Sequence, residues 1–226
     1  MSSKHTRFSS GASMPVEFIC CPVCQKTLNL HRSGGQSVMV CSSNHSFDIA
    51  KEGYLNLLMR AHRSFYHKAQ FEARHKIICQ SELFQPLIVL LKERIAFYER
   101  DLNSGEAPVL DAGAGEGSFL TEVMRGQSRL AVGLDIAKQG ILLAAKKNQN
   151  DIWIVGDLSR MPFHSDTFGV ILNILSPANY EEFDRVLMPN GILLKVIPRK
   201  LYLEQLRTYS SEAKHGGDTF NSGEAQ

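Results

Sequence analysis

The chain has 226 residues, 43% of them hydrophobic, and a formal net charge of +2 at pH 7. This hydrophobic fraction excludes general disorder, and a charge this close to zero excludes a strong overall field that would attract nucleic acid. No apolar run is long enough to span a membrane and the serine-rich start lacks the apolar stretch of a signal peptide, so we expect a soluble cytoplasmic protein.

Residues 1–16 mix Ser, Lys, His, Gly and Pro without periodicity, which predicts a flexible tail. The following segment, 17–58, contains too little apolar material to form a stable core by itself. Most of the chain's five cysteines lie in this segment. In a chain without an export signal, such a cluster favours metal ligation over disulfide bonds.

A structural metal site is predicted within the segment. Cys21 and Cys24 are two residues apart, and Cys41 and His45 follow beyond a Gly-Gly turn. Two such knuckles on a hairpin bring four soft or borderline ligands to the tetrahedral geometry that Zn²⁺ prefers. Four protein ligands leave no open position, so zinc would stabilise the fold rather than take part in catalysis. Cys20 competes with Cys21, but only Cys21 gives the two-residue spacing.

The stretch 66–100 has a helical pattern. Phe71, Ile77 and Ile78 recur at helical spacing, and Ser81 is typical of a fresh helix start. The second helix is predicted to bury an apolar stripe made of Leu83, Leu87, Leu90, Leu91 and Ile95.

After Pro108, candidate strands and helices alternate. The strands are predicted at 109–112, 130–135, 152–156, 168–174 and 192–197, and helices between them include 138–147 and 181–187. This alternation predicts an α/β fold with a doubly wound parallel sheet.

A nucleotide-binding turn is predicted where the strand ending in Asp111 runs into Gly113, Gly115 and Gly117. Small residues allow a ligand to approach the backbone closely, and the next helix start offers free N–H groups. The spacing differs from the G-x-G-x-x-G of dinucleotide sites, and Asp111 would repel a pyrophosphate. The pattern favours S-adenosylmethionine, whose amino-acid end carries an ammonium beside a sulfonium.

A second acid belongs to this candidate site. Asp135 ends the next predicted strand, about twenty residues beyond the turn, where it can accept hydrogen bonds from both ribose hydroxyls. The alternative is a tight strand–helix turn that binds no ligand. That alternative requires the acid before the turn, the glycine spacing and the second acid to coincide by chance.

With both sites in view, the chain resembles the 23S rRNA (guanine-N1)-methyltransferase family, which includes macrolide-resistance members. The string AKEGYLNLL at 50–58 is highly specific to this family, far more so than the glycine turn. The resemblance covers roughly residues 18–200. Other matching strings are CPVC at 21–24, FEAR at 71–74, LDAG at 110–113, LDI at 134–136, MPF at 161–163 and SP at 176–177.

The resemblance implies a zinc-binding RNA-recognition domain at 17–58 and a class I, Rossmann-like methyltransferase domain at 59–226. It implies methylation of guanine N1 in a hairpin loop of 23S rRNA. The metal ligands carried over are Cys21, Cys24, Cys41 and His45; the cofactor residues are Asp111, Gly113, Gly115, Gly117 and Asp135, with Asp157 near the adenine amino group. The family continues well beyond the end of this chain, and a class I sheet has two further strands after the fifth. We therefore expect a sheet that is incomplete at its C-terminal edge.

The substrate pocket is predicted after the fourth strand, because a doubly wound sheet binds ligands at the carboxyl ends of its strands. Asn173 and Ser176 are candidates to hydrogen-bond a guanine edge, although an ordinary strand-end turn would explain them equally well. No residue stands out as the general base. A basic and aromatic strip is predicted to contact RNA. It runs from Lys51 to Lys76 and includes Arg60, His62, Arg63, His67, Lys68, Arg74 and His75, interleaved with Tyr54, Phe65, Tyr66 and Phe71.

Two other functions remain open at this point. A truncated, non-catalytic relative would retain zinc and RNA binding without turnover. A small-molecule methyltransferase would share the glycine turn but would have no need of a four-ligand knuckle. Whether the chain forms a homodimer is also left open by the sequence.

Overall fold

A computed structural model describes residues 16–33, 36–60, 67–102 and 107–199. The predicted flexible tail and the polar stretch beyond residue 210 lie outside these ranges. Among the residues that are described, no helix is both long and apolar enough to cross a membrane. The described residues up to Lys195 belong to one compact unit, and those from Val196 onwards belong to a second.

The N-terminal part forms a small antiparallel sheet in the order β1-β2-β3. Its strands are β1 (Leu28–Ser33), β2 (Gln36–Cys41) and β3 (Ser46–Asp48). Leu28 pairs with Cys41, and both are buried together with Met39 on one face of the hairpin. This alternation of buried and exposed side chains is typical of a sheet with one face towards a core.

The larger sheet has six strands in the order β4-β7-β6-β5-β8-β9. Every residue of β5, β7 and β8 is buried, as expected for central parallel strands with helices on both faces. The predicted doubly wound α/β fold is therefore confirmed. The strands are β4 (Tyr54–Asn56), β5 (Val109–Ala112), β6 (Ala131–Asp135), β7 (Ile152–Val155), β8 (Phe168–Ile174) and β9 (Leu187–Val196).

Five helices connect or cover these strands in the described ranges. They are α1 (Lys68–Gln80), α2 (Gln85–Leu102), α3 (Ser118–Met124), α4 (Lys138–Lys147) and α5 (Tyr180–Val186). The predicted stripe of α2 is correct only in part, because Leu91 and Ile95 are buried as expected but Leu83 and Leu90 are not. The buried residues are Ile88, Leu91 and Ile95, whereas Leu83 and Leu90 are 60% and 45% exposed. The helix carries two overlapping apolar stripes, and packing against α3 selects one of them.

The two edges of the large sheet differ from the sequence-based expectation. The edge strand β4 was not predicted; it pairs in parallel with β7, with Tyr54 opposite Trp153. On the other side β9 begins at Leu187, earlier than the predicted start at 192. Within the described residues, no strand follows β9. The boundary near residue 58 stays a prediction, although β4, which precedes it, belongs to the large sheet.

The small sheet β1–β3 and the residues just before it, from Val16 onwards, are called the ribbon below. The ribbon and the large sheet share a hydrophobic core. Ile19 forms an antiparallel bridge with Phe163, and the Phe18 ring lies 6.1 Å from the Phe163 ring. His164 links the two parts further, because its Nδ1 lies 3.1 Å from the Cys20 Sγ and its Nε2 lies 2.9 Å from the Thr27 hydroxyl. Cys20 therefore contacts His164 of the large-sheet part and is not one of the four clustered ligand residues.

Candidate cofactor cavity and metal centre

The four predicted metal ligands lie together at the end of the ribbon. The ligand atoms of Cys21, Cys24, Cys41 and His45 all lie within 4.8 Å of one another. The Cys24–Cys41 sulfur separation is 3.6 Å, and the His45 Nδ1 lies 3.6 Å from the Cys21 sulfur and 3.4 Å from that of Cys41. A tetrahedral Zn²⁺ site with ordinary bond lengths requires ligand separations of about 3.5–3.8 Å. The donor set and its spacing therefore fit zinc.

The backbone of each knuckle turns sharply behind its first cysteine. The Gln25 N–H donates to the Cys21 carbonyl, and the Asn44 N–H donates to the Cys41 carbonyl. Gln25 and Asn44 adopt left-handed conformations with φ of 61° and 62°. A hydrogen bond from the Lys26 backbone lowers the pKa of the Cys24 thiol to about 6, which favours the thiolate that zinc requires.

A cavity of about 520 Å³ opens at the carboxyl ends of the central strands. Its walls are the glycine turn after β5, the end of β6, the loop after β8 and one side of α1. Four of the six predicted cofactor residues line it, namely Gly113, Gly115, Asp135 and Asp157. The location agrees with the rule that open α/β sheets bind ligands beyond the carboxyl ends of their strands.

The first two glycines of the turn are required by close contacts and by backbone conformation. Gly113 has a φ of 91°, and a β-carbon there would overlap the Ser176 hydroxyl and lie 2.5 Å from the Ser176 β-carbon. Gly115 has a φ of 59°, and a β-carbon there would lie 2.5 Å from Nη1 of Arg74. The turn is thus sandwiched between the loop after β8 and helix α1.

The third glycine of the turn packs against an aromatic ring. Gly117 does not line the cavity. Its φ is 77°, and a β-carbon would lie 2.7 Å from Cζ3 of the Trp153 indole, which also packs on Gly133. The absence of a side chain at Gly117 therefore lets α3 and β6 pack closely on the Trp153 ring, whereas a direct contact of Gly117 with the cofactor stays a prediction.

The carboxylates near the cavity have distinct environments. The Asp135 Oδ2 accepts the Gly115 N–H at 2.8 Å and its Oδ1 accepts the Ala137 N–H at 2.7 Å, so this side chain orients the turn as well as lining the cavity. The Asp157 Oδ1 accepts the Ser159 N–H at 2.8 Å. Asp111 is buried and does not line the cavity, and burial raises its pKa to about 7.

An ion pair beside the turn was missed by sequence reasoning. Nη1 of Arg74, from α1, donates to Oε2 of Glu116 at 2.5 Å, and the Arg74 guanidinium lies over the Phe119 ring at 5.4 Å. The Glu116 side chain is fully buried, and Arg74 lines the cavity. The position of Glu116 within the glycine turn was the only feature of the sequence that pointed to a role for this residue.

The two candidates for guanine recognition differ in availability. The Asn173 side chain is fully buried; its Nδ2 donates to the Ala112 and Pro177 carbonyls, and its Oδ1 accepts from the Lys195 Nζ. Asn173 is therefore committed to holding the loop after β8, and the expected contact with guanine is not supported by this arrangement. Ser176 lines the cavity, and its carbonyl accepts from the Lys195 Nζ at 2.5 Å.

Comparison with known proteins places these sites in a family. A model described as "RlmA, N-terminal", a zinc ribbon, matches residues 19–64, and a model described as "Methyltransferase domain" matches residues 110–194. YxjB of Bacillus subtilis, which carries the provisional name 23S rRNA (guanine-N1)-methyltransferase, is 37% identical over 194 residues, 84% of this chain and 67% of the relative. This chain belongs to the 23S rRNA (guanine-N1)-methyltransferase family. It is an S-adenosylmethionine-dependent methyltransferase with a zinc ribbon.

Two further proteins are similar to this family member. The 23S rRNA (guanine(748)-N(1))-methyltransferase of Streptomyces fradiae is 30% identical over 195 residues, which are 84% of this chain and 67% of the relative. The crystal structure of the CurJ carbon methyltransferase has a TM-score of 0.52 and 15% identity, over 62% of this chain and 43% of that one. The latter likeness supports the class I methyltransferase fold alone.

The predicted RNA-binding strip of this methyltransferase divides between surface and interior. Tyr54 and Phe71 are buried, and Arg74 pairs with Glu116, so these three belong to the core and the cavity. His62, Arg63, Phe65 and Tyr66 lie outside the described residues. Within the described part of the strip, the exposed basic residues are Arg60, His67 and Lys68, together with Lys51 and Lys76 at its two ends. His75 is half-buried, and its Nδ1 lies 2.9 Å from the Ser118 hydroxyl.

Cofactor binding by this family member is expected to depend on pH through Asp111. Burial raises the pKa of Asp111 from 3.8 to about 7 in the folded protein without ligand. Relative to the unfolded state, the protonated carboxyl therefore contributes stability that is fully present below about pH 4 and is lost as the pH rises through about 7. A cationic cofactor favours the ionised form. Affinity for S-adenosylmethionine is therefore expected to rise between pH 6 and about 7.5, by up to about tenfold per pH unit, with release of a proton.

Isothermal titration calorimetry in buffers of different ionisation enthalpy measures both the affinity and the released proton. In Asp111→Asn, the change in affinity over this pH range is expected to be smaller than in the wild type. Equal wild-type affinities at pH 6 and pH 7.5 would contradict the assignment.

Proposed function

We propose that this protein transfers a methyl group from S-adenosylmethionine to N1 of a guanine in a hairpin loop of 23S rRNA. The observation that carries the proposal is a cofactor cavity and a zinc ribbon within one compact unit, in a chain whose relatives are named for this reaction. A small-molecule methyltransferase would need the cavity but not the ribbon. An rRNA substrate would place the reaction in the cytoplasm.

The ribbon would supply a rigid surface for the RNA. We assign zinc to Cys21, Cys24, Cys41 and His45, since all four ligand atoms lie within 4.8 Å of one another and three of their separations are 3.4–3.6 Å. The ion would stabilise two knuckles that have little core of their own. Contacts of Ile19 and His164 would then hold the ordered ribbon against the large-sheet part. Exposed basic side chains near the ribbon would contact phosphates.

The cavity residues would bind and orient the cofactor. Oxygens of Asp135 that already accept backbone N–H groups retain lone pairs for the ribose hydroxyls, and Asp157 would accept from the adenine amino group. Gly113 and Gly115 would allow the methionyl part to approach the backbone. Asp111, ionised in the complex, would add negative charge beneath the turn. The bound cofactor supplies an electrophilic methyl group on its sulfonium.

The loop after β8 would receive the target base. Placement of the two reactants accounts for much of the catalysis in such a transfer, and a base that already lies in a loop costs least to unstack. Ser176 lines the cavity and would hydrogen-bond the guanine edge. Asn173 and Lys195 would hold this loop in position. No described residue is assigned as the base that removes the N1 proton.

Reverse-transcriptase primer extension on unmethylated 23S rRNA tests the proposal. Methylation of guanine N1 blocks base pairing, so a new stop one nucleotide before a guanine in a hairpin loop is expected when full-length, zinc-loaded protein and cofactor are both present. The matched controls omit the cofactor or use Asp135→Ala, and each is expected to remove the stop.

Three other outcomes would contradict the proposal. Absence of a stop with protein that is folded, zinc-loaded and able to bind S-adenosylhomocysteine would indicate a non-catalytic RNA-binding relative. Methyl transfer to small molecules alone would indicate the other rival function. A cofactor-dependent stop at a nucleotide other than guanine would refute the assigned substrate atom.

A further inference from the structure

The acidic groups around the cavity can balance the two cationic groups of the cofactor. The carboxylate of the cofactor needs a cationic partner, and Arg74 is placed to provide it. The methionyl end of S-adenosylmethionine carries a sulfonium, an ammonium and a carboxylate. Acids lie at or beneath the cavity wall: Asp135 and Asp157 line it, and Asp111 and Glu116 are buried near the turn. Among the described residues that line the cavity, only Arg74 has a cationic side chain.

The structure also holds the Arg74 guanidinium at the turn where a methionyl group would lie. Its Nη1 donates to Oε2 of the fully buried Glu116 at 2.5 Å, and Phe119 supports the planar group from below at 5.4 Å. A β-carbon on Gly115 would lie 2.5 Å from the same Nη1, so the guanidinium is close to the backbone of the turn. The Arg74 side chain remains 31% exposed, whereas that of Glu116 is inaccessible.

A guanidinium has five N–H donors in a fixed planar arrangement. The bond to Glu116 uses Nη1 and fixes the orientation of the plane, which leaves other donors for a ligand in the cavity. Oε1 of Glu116 has no hydrogen-bond partner in the described part of the chain. Glu116 is therefore placed to orient Arg74, and its burial separates it from a ligand.

We propose that Arg74 binds the carboxylate of the methionyl part of S-adenosylmethionine, and that Glu116 is the positioning residue that orients it. This inference rests on the proposed function only through cofactor binding. It removes Arg74 from the RNA-contacting strip and places α1 in the cofactor site. An arginine–carboxylate bond in a partly buried site contributes about a tenfold to hundredfold gain in affinity.

The test compares two ligands that differ only in this carboxylate. S-adenosylhomocysteine and its decarboxylated analogue, which keeps the adenosine, the thioether and the amine, are titrated calorimetrically into the zinc-loaded full-length protein. The wild type is expected to prefer S-adenosylhomocysteine by about tenfold to a hundredfold. In the double variant Arg74→Met/Glu116→Gln the two affinities are expected to become nearly equal.

The double variant removes both charges, since Arg74→Met alone would leave Glu116 buried without its partner. The ratio of the two affinities is measured on a single protein, so a general loss of cavity order affects both ligands and largely cancels. A matched control is Arg125→Met/Glu122→Gln, which removes a surface pair with the same 2.5 Å separation, and its ratio is expected to equal that of the wild type.

An unchanged ratio in the Arg74→Met/Glu116→Gln variant would overturn the inference while leaving the proposed function intact, because S-adenosylhomocysteine would still bind. Equal wild-type affinities for the two ligands would also overturn it. A wild type that binds neither ligand would instead overturn the proposed cofactor site itself. Should the double variant not fold, Arg74→Lys retains the charge but loses the planar donors, and a severalfold smaller ratio is expected.

Discussion

Gly113→Ala is expected to lower the affinity for S-adenosylhomocysteine by about 100-fold. A β-carbon at Gly113 would overlap the Ser176 hydroxyl and lie 2.5 Å from the Ser176 β-carbon, so a simple rotation of the serine does not relieve the clash. Either the glycine turn or the loop after β8 must move, and both form the cavity wall. A φ of 91° adds strain for any L-residue. Calorimetric titration of the folded variant measures the loss.

Two further variants separate steric overlap from backbone strain. Gly126 has a similar φ of 86° but nothing lies within 4 Å of its β-carbon position, so Gly126→Ala should introduce strain without changing cofactor affinity. In Gly113→Ala/Ser176→Gly the clashing atoms are gone and the next neighbour is Leu158 at 3.9 Å, so about tenfold of the affinity should return. A Gly113→Ala protein that binds the ligand as well as the wild type would refute the cavity as the cofactor site.

Cys41→Ala is expected to reduce the zinc content from about one ion per chain to less than about 0.1, because losing one of four ligands removes most of the affinity of a structural site. The unfolding temperature is expected to fall by about 10 °C, since the ribbon shares its core with the large sheet. Methylation of 23S rRNA should be lost. Atomic absorption, thermal unfolding and primer extension measure these three effects.

The cysteines outside the cluster provide the controls for this experiment. Cys20→Ala and Cys79→Ala are each expected to retain one zinc ion, because neither thiol is among the clustered ligands. Loss of zinc from Cys20→Ala, or full zinc content in Cys41→Ala, would contradict the assigned ligand set. Deletion of residues 1–58 is a poorer test than a single substitution, because it also removes β4 from the large sheet.

The features for which the sequence prediction agrees with the structure are those whose members are close together along the chain. The C-x-x-C spacing places Cys21 and Cys24 in one knuckle whatever the rest of the protein does, so the metal cluster follows from local geometry. Central parallel strands are buried on both faces and therefore appear as continuous apolar runs, which is why the bounds predicted for β5 and β8 agree with the structure.

The failures all involve partners that are distant in sequence. A basic residue on an amphipathic helix has the same pattern whether it faces solvent or a buried acid, so Arg74 was assigned to RNA although it pairs with Glu116. The glycine pattern also does not indicate which side chain packs beside each glycine. In the structure Gly113 faces Ser176, whereas Gly117 faces Trp153. Packing against a particular neighbour decides the role in each case.

The sequence by itself determined the doubly wound α/β fold and the turn chemistry that favours S-adenosylmethionine, and it predicted the four residues that cluster at the end of the ribbon. Period, local spacing and turn chemistry are properties of short segments. Only the tertiary structure decided that α1 contributes Arg74 to the cavity, that Asn173 is committed to the loop after β8, and that His164 joins the ribbon to the sheet. These contacts depend on which elements pack together. That packing is set by the burial of apolar surface between elements that are distant in sequence, so it cannot be deduced from any short segment alone.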